Sequence, residues 1–342
     1  MNTSGTNTAG KWRYFLSHRR GFFSFLTLSF IFLLCSGAEF LSNDKPLLVI
    51  TKKSWLFPIL RYYPETAFFD GEDIEMNYMS CEFNQFIQKE KAFVIWPLYR
   101  YGAQTISLDA PQPSLSPPDC HHVLGTDEQG RDVLARLLYG TRISLFFGLG
   151  LAIFSSIVGI IVGSIQGYFA GKIDLVLQRI IEIWDGLPIF FLLMIVSNFL
   201  SANVWVFLGI MTLFSWTRLV PVVRAEFLRG RQQSYVKAAK ALGVPEGRII
   251  FRHILPNALA PALSCLPFLI SSGISALTAL DFLGIGLSLG TPSLGDLLRQ
   301  GKSHLYAPWL GLSAFLTLAT ILVLVTFIGE ALRDTFSPHK PS

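Results

Sequence analysis

Runs of about 20 apolar residues constrain this chain more than any other feature. A helix rising roughly 1.5 Å per residue needs that many to cross roughly 30 Å of hydrocarbon. The stretches 21–41, 144–167, 204–223, 259–280 and 308–331 reach that length. Leu187 to Leu200 is apolar but short, and carrying its helix back through Ile180 to Trp184 gives a sixth span over about 182–200. With 51% hydrophobic residues, only 15% charged and a mean hydropathy of +0.47, the 342 residues do not compose a soluble globule. The pattern predicts an all-α polytopic membrane protein with six transmembrane helices.

Charge orients those helices. Residues 1–10 are small and polar and read as a disordered tail. Lys11 to Arg20 (KWRYFLSHRR) is basic with aromatics and suits the inner leaflet, so 1–20 is a cytoplasmic segment. The run after it, with Ser36-Gly37-Ala38 at its end, also fits a cleavable signal peptide. A retained first span is preferred, because the rest of the chain needs no secretion signal. Arg224, Arg229, Arg231, Lys237, Lys240, Arg248 and Arg252 crowd a single loop, which the positive-inside rule places in the cytoplasm. Arg333, His339 and Lys340 follow the last span. Both termini are therefore expected in the cytoplasm, with lipid around the spans. The formal charge of +5 marks those loops; no basic stripe interleaved with recognition aromatics exists to argue for nucleic acid.

Between the first two spans, 42–140 forms an extracytoplasmic insertion with an approach helix. Its fold is open between short strands with turns and a mixed α/β arrangement. Cys81 and Cys120 both lie there, in a compartment that permits a disulfide, and two free thiols are the plainer expectation. Cys120-His121-His122 contains metal-binding residue types but has no matching partner pair, so no metal site is expected. In Leu124 to Asp132 (LGTDEQGRD) Gly125-Thr126-Asp127 reads as a capped turn, and Asp132 to Tyr139 as a helix nearing the membrane. Asp127 and Asp132 have no base or metal motif beside them, so capping and ion pairing are expected of them rather than catalysis. Near the other end, Gly295 and Gly301-Lys302-Ser303 imitate a phosphate loop, but five residues separate the glycines instead of four.

The basic loop itself, Tyr235 to Asn257 (YVKAAKALGVPEGRIIFRHILPN), has the signals of a helix, a break and a second helix. Ala238, Ala239 and Leu242 are expected along one side of the first helix. Gly243 ends it, and Pro245 with Glu246 suits the first turn of the next. Ile249, Ile250 and Ile254 share a side of the second helix, which Pro256 punctuates. Such a knuckle can dock into a groove of another protein; an ordinary interfacial loop has the same periodicity.

Lys237-Ala238-Ala239, Gly243 and Leu255-Pro256 stand at the spacings of the EAA loop, which this stretch resembles, in permease subunits of binding-protein-dependent ABC importers. Lys237 stands where that pattern has Glu, and His253 where it has Ile. The HILPN ending, LGTDEQGRD, and the phrases FLGIGLSLGTPSLG and Pro308-Trp309-Leu310 are similar to the dipeptide and oligopeptide branch of that family. The resemblance is loose over 1–20 and close over about 120–338. With the long insertion, it is strongest to the microcin C and oligopeptide (Yej-type) permeases. It implies the type I ABC importer permease fold, with 141–335 as the core and 235–257 as the coupling loop. Lys237, Ala238, Ala239, Gly243, Leu255 and Pro256 would couple the chain to an ATPase. It also implies half of a heterodimeric pore for peptides, completed by a second permease. Further partners would be two ATPase subunits or one fused ATPase, and an extracytoplasmic peptide-binding protein. ATP would bind and be hydrolysed on those partners; no cofactor and no catalytic residue is expected on this chain. An ion-coupled secondary carrier or channel is the rival reading, and it calls for ionisable groups at mid-membrane, of which the span centres drawn here are almost free.

Overall fold

A computed structural model describes residues 15–51, 54–68, 75–106, 114–199, 203–288 and 290–336. The tail 1–10, most of the acidic run Asp70 to Glu75, Ser201-Ala202 and the segment from 337 onward lie outside them. Among the described residues five helices are long and apolar enough to cross a membrane: Arg19–Ser36, Val133–Phe169, Val204–Gly230, Glu246–Phe282 and Pro308–Phe336. The chain divides into two compact units.

The first unit holds 144–288 with both chain ends (1–29 and 318–342). Its frame is the close approach of Val133–Phe169 to Val204–Gly230. A Cβ built on Gly159 would stand 2.8 Å from Trp216 O, and one on Gly163 would stand 2.8 Å from Val223 Cβ. On Gly167 it would lie 2.5 Å from Phe227 Cβ. Glycine at every fourth position thus lets two backbones meet along one seam. A second seam joins the same helix to Glu246–Phe282, where a Cβ on Gly148 would lie 2.9 Å from Ile270 O.

The segment expected as one span over 182–200 is two helices, Gly171–Asp185 and Ile189–Phe199, separated by Gly186-Leu187-Pro188. Pro188 disfavours helical backbone at Leu187, which explains the break. Arg224 Nε and Nη2 each donate to an Asp174 carboxylate oxygen at 2.6 Å. Further along, Trp184 Nε1 donates to Leu213 O at 2.9 Å. The two ties are about ten residues apart on both helices, so these run antiparallel over roughly 15 Å.

The second unit holds 30–143 and 289–317. Its insertion is mixed α/β: strands β1 (Leu48–Ile50), β2 (Trp55–Leu56) and β3 (Phe93–Ile95) form an antiparallel sheet in the order β2-β1-β3. The helix Cys81–Glu90, capped by Ser80 Oγ accepting from Phe83 N at 3.2 Å, supplies Phe83 to the core. Phe83 is fully buried among Val49, Phe68, Met76 and Tyr78, with Phe86 and Trp96 at the margin. Phe68 and Tyr78 meet it edge-on at centroid distances of 5.7 and 5.1 Å. Cys81 and Cys120 are exposed free thiols.

LGTDEQGRD forms a turn clamped from three sides. Gly125, at φ +73°, occupies left-handed backbone, and a Cβ there would lie 2.6 Å from Ser116 O. Asp127 Oδ1 accepts from the Gln129 and Arg131 backbone N–H groups at 2.9 Å, and its Oδ2 accepts from Arg131 Nε at 2.9 Å. Asp132 Oδ1 caps Val133–Phe169 by accepting from Ala135 N at 2.9 Å. Its Oδ2 meets His122 Nδ1 at 2.8 Å and the Tyr99 hydroxyl. Burial, reinforced by that carboxylate, holds the Tyr99 phenol far above its ordinary range. His122 is thus turned into the interior, whereas Cys120 and His121 are exposed, so the three do not converge as a ligand set.

Arg136 is fully buried one turn into the same helix. It donates to Ala103 O, Gly290 O and Thr291 O at 3.3–3.4 Å and to Asp296 Oδ2 at 3.0 Å, and its Nε lies 3.3 Å from Asp127 Oδ2. Trp309 Nε1 adds a bond to Thr126 O at 3.3 Å. Gly295, Gly301, Lys302 and Ser303 belong to the helix Leu294–Ser303 and form no loop.

Two outcomes are expected. Phe83→Ala should cost about 3–5 kcal/mol of local stability, seen as proteolysis within 42–120 while the membrane core stays intact. Arg136→Ala should cost about 3–5 kcal/mol by removing the buried cation that Asp127 and Asp296 share, read from thermal unfolding in detergent. Arg136→Lys should recover only part, since an ammonium cannot serve so many fixed acceptors.

Candidate coupling site

The knuckle is built from the helix Ser234–Ala241, a turn, and a second helix that begins at Glu246. Gly243 ends the first helix at φ +75°. Its N–H donates to Lys240 O at 3.0 Å and the Val244 N–H to Ala239 O at 3.1 Å, the two bonds of a Schellman turn. A Cβ on Gly243 would meet nothing within 4 Å, so any other residue there is penalised by backbone strain alone.

Val236 and Ala239 form the buried side of the first helix. Leu242, expected beside Ala239, has left the helix as its cap and is 83% exposed. Val236 and Ala239 join Tyr168, Leu219, Val223, Phe227, Ile249 and Ile254 in one core, with Leu255, Ile250 and Val244 packed at its edge. Ile249 and Ile254 are five residues apart and both fully buried, which an α-helix does not allow on one side. The backbone over Ile249–Ile254 is a π-helix, and the Leu255 N–H donates to Ile250 O, five residues back. Pro256 does not end the second helix as its chemistry predicts. It stands in the first turn of Leu255–Phe282, and Glu246 to Phe282 runs without a break from the knuckle into the span.

The six sequence-derived coupling residues fall into two groups. Ala239 and Leu255 anchor the knuckle to the spans, while Lys237, Ala238, Gly243 and Pro256 are exposed. The most exposed apolar side chains were not among them: Leu242, and Phe251 at 71% exposure. Both stand beside exposed cations, Lys240 and Arg252, with Lys237 and Arg248 nearby in sequence. An apolar residue in a basic loop was the available signal for both. Lys240 Nζ also sits 4.7 Å from the Tyr168 ring centre, and Arg231 Nη1 donates to Tyr168 O at 3.0 Å. The knuckle is thereby tied to three helices at once. It carries no nucleophile and no base; what it can do is pass a push at its tip to the spans.

Arg218 lies in a 3₁₀ turn, Trp216–Arg218, within the 27-residue helix Val204–Gly230, and Asp185 ends the helix Gly171–Asp185 just before the break.

The family model described as "Binding-protein-dependent transport system inner membrane component" matches residues 156–340. The chain is 48% identical over 330 residues to the inner membrane ABC transporter permease protein YejE of Escherichia coli (strain K12), covering 96% of each chain. It is 45% identical over 360 residues to the peptidoglycan transport system permease protein YejE of Agrobacterium fabrum, covering 97% of this chain and 93% of that one. Similarity extends to the dipeptide transport system permease protein DppC of Haemophilus influenzae, 34% identical over 64% of this chain and 74% of the relative. With its apolar helices, the chain is a multi-pass inner-membrane permease, the non-catalytic membrane part of its transport system. It belongs to the family of binding-protein-dependent transport system inner membrane components.

Proposed function

We propose that the chain forms half of the translocation pore of an ATP-driven importer of peptides, either oligopeptides or a microcin C-like peptide. The observation that carries this reading is the knuckle at 235–257. Its buried residues are fused to the ends of the spans and its exposed tip presents Leu242 and Phe251 among cations. Relatives that serve peptidoglycan and dipeptide transport systems support a peptide cargo. A second permease completes the pore. Two ATPase subunits, or one fused ATPase, bind and hydrolyse ATP and receive the knuckle, and a peptide-binding protein delivers cargo outside. This chain itself holds no cofactor. Seven cations at the knuckle end, Arg224 to Arg252, support a topology with that end and both termini in the cytoplasm and the insertion outside.

The cycle is alternating access. Closure of the ATPase dimer moves each knuckle, and the helices that share its core swing from inward-open to outward-open. Peptide enters from the binding protein, and hydrolysis resets the pore. An ion-coupled carrier is the competing mechanism, and Arg218 and Asp185, ionisable groups within or beside apolar helices, are what favours it.

A mild-detergent pull-down of the tagged chain, followed by an ATPase assay, separates the two. Recovery of a second permease and an ATPase, with hydrolysis raised by the peptide-loaded binding protein, is the expected result. Uptake driven by an ion gradient without any ATPase would replace it with the carrier. Gly243→Val should strain the Schellman turn by about 1–2 kcal/mol, cutting uptake several-fold while ATP hydrolysis and membrane insertion persist. Unchanged uptake in that variant would remove Gly243 from the coupling role.

A further inference from the structure

Arg218 is an exposed cation within the apolar part of a span, where a charge facing lipid is heavily penalised. Snorkelling toward the knuckle-end headgroups does not describe it. Cα–Cβ bonds in a helix tilt toward the N-terminus, which here points away from the knuckle. The guanidinium accordingly reaches Ser272 Oγ on the neighbouring span. Ser272 stands 16 residues, about 24 Å of helix, beyond Pro256. Six residues nearer the knuckle, Arg224 already occupies the Asp174 carboxylate.

The backbone around Arg218 is also specialised. Pro221 cannot donate to Thr217 O, and the chain tightens there, with the Leu219 N–H bonded to Trp216 O at 3.3 Å. Ser275, one turn beyond Ser272 on the same helix, is exposed. Asp185, at the break that Trp184 holds beside Leu213, is exposed as well. Among the described residues neither Arg218 nor Asp185 has an ion pair. Exposed Arg and Ser on apolar spans, with an exposed Asp at the end of a broken helix, mark a wall that faces a polar route and not lipid.

We propose that Arg218, oriented by Ser272, is a substrate-binding residue of the translocation route that receives the C-terminal carboxylate of the peptide in passage. This rests on the peptide-importer reading. A guanidinium offers paired donors that match a carboxylate, and it keeps its charge at any physiological pH. One hydroxyl occupies a single donor position and leaves the rest for a ligand.

The test uses the complete transporter in proteoliposomes with its ATPase and binding protein. ATP-driven uptake of trialanine is compared with that of its C-terminal amide, for wild type, Arg218→Gln, Arg218→Lys and Ser272→Ala. The readout is the acid-to-amide uptake ratio, with the binding protein held constant. Arg218→Gln should lower that ratio about tenfold, the size of one charge-assisted hydrogen bond in affinity. Arg218→Lys should retain part of it, and Ser272→Ala should lower it about two- to threefold. An unchanged ratio in Arg218→Gln and Arg218→Lys would overturn the inference alone. Loss of the second permease from either variant's complex would overturn it too, assigning Arg218 to the subunit interface. No ATP-driven uptake of either peptide by wild type would overturn the importer reading and the inference with it.

Discussion

The seam of Gly159, Gly163 and Gly167 against Val204–Gly230 is the contact on which the first unit depends. Lipid tails solvate leucine as well as another helix does, so burial of apolar side chains gives two spans little reason to associate. Association has to come from dispersion between closely fitted surfaces, and glycine removes the side chain that would hold the backbones apart. The seam ends at Phe227, which belongs to the same core as Val236, Ile249 and Ile254. Helix packing in the span and anchoring of the knuckle are therefore one continuous surface.

That continuity has a mechanical consequence. A loop joined to its spans by flexible residues would absorb a push at its tip. Here the second half of the knuckle is the beginning of a span, the first half is pinned by a Schellman turn and a cation over Tyr168, and the π turn brings Ile249 and Ile254 to one side. Movement of the tip then moves whole helices. The same frame carries Arg218 and, through Trp184, the break after Asp185.

The second unit is organised by different physics. Its insertion has an aromatic core of ordinary globular kind around Phe83, while the turn beneath it is fixed by buried charge. Asp127, Arg136 and Asp296 are expensive to desolvate singly, and each becomes tolerable only because the others and the carbonyls of 290–291 surround it. Such a cluster specifies one arrangement of LGTDEQGRD against Leu294–Ser303, since any shift leaves a charge unpaired. Capping and ion pairing, the roles expected of Asp127 and Asp132, are what these bonds provide.

The sequence by itself determined the elements whose causes are local. Apolar run length set the crossing helices, Gly243 set the end of the first knuckle helix, and the spacing of Lys237 to Pro256 marked the site. What the neighbours decide was not legible. Leu242 reads as core by periodicity, yet the cap turns it outward. Pro256 reads as a terminator, yet the π turn just before it carries the helix on past the missing N–H. The sequence names no partner for Arg218, whereas the tertiary structure bonds its guanidinium to Ser272 of a neighbouring span. Periodicity records which side of an element is apolar. Depth, partner and exposure belong to pairs of elements, and only the tertiary structure brings those pairs together.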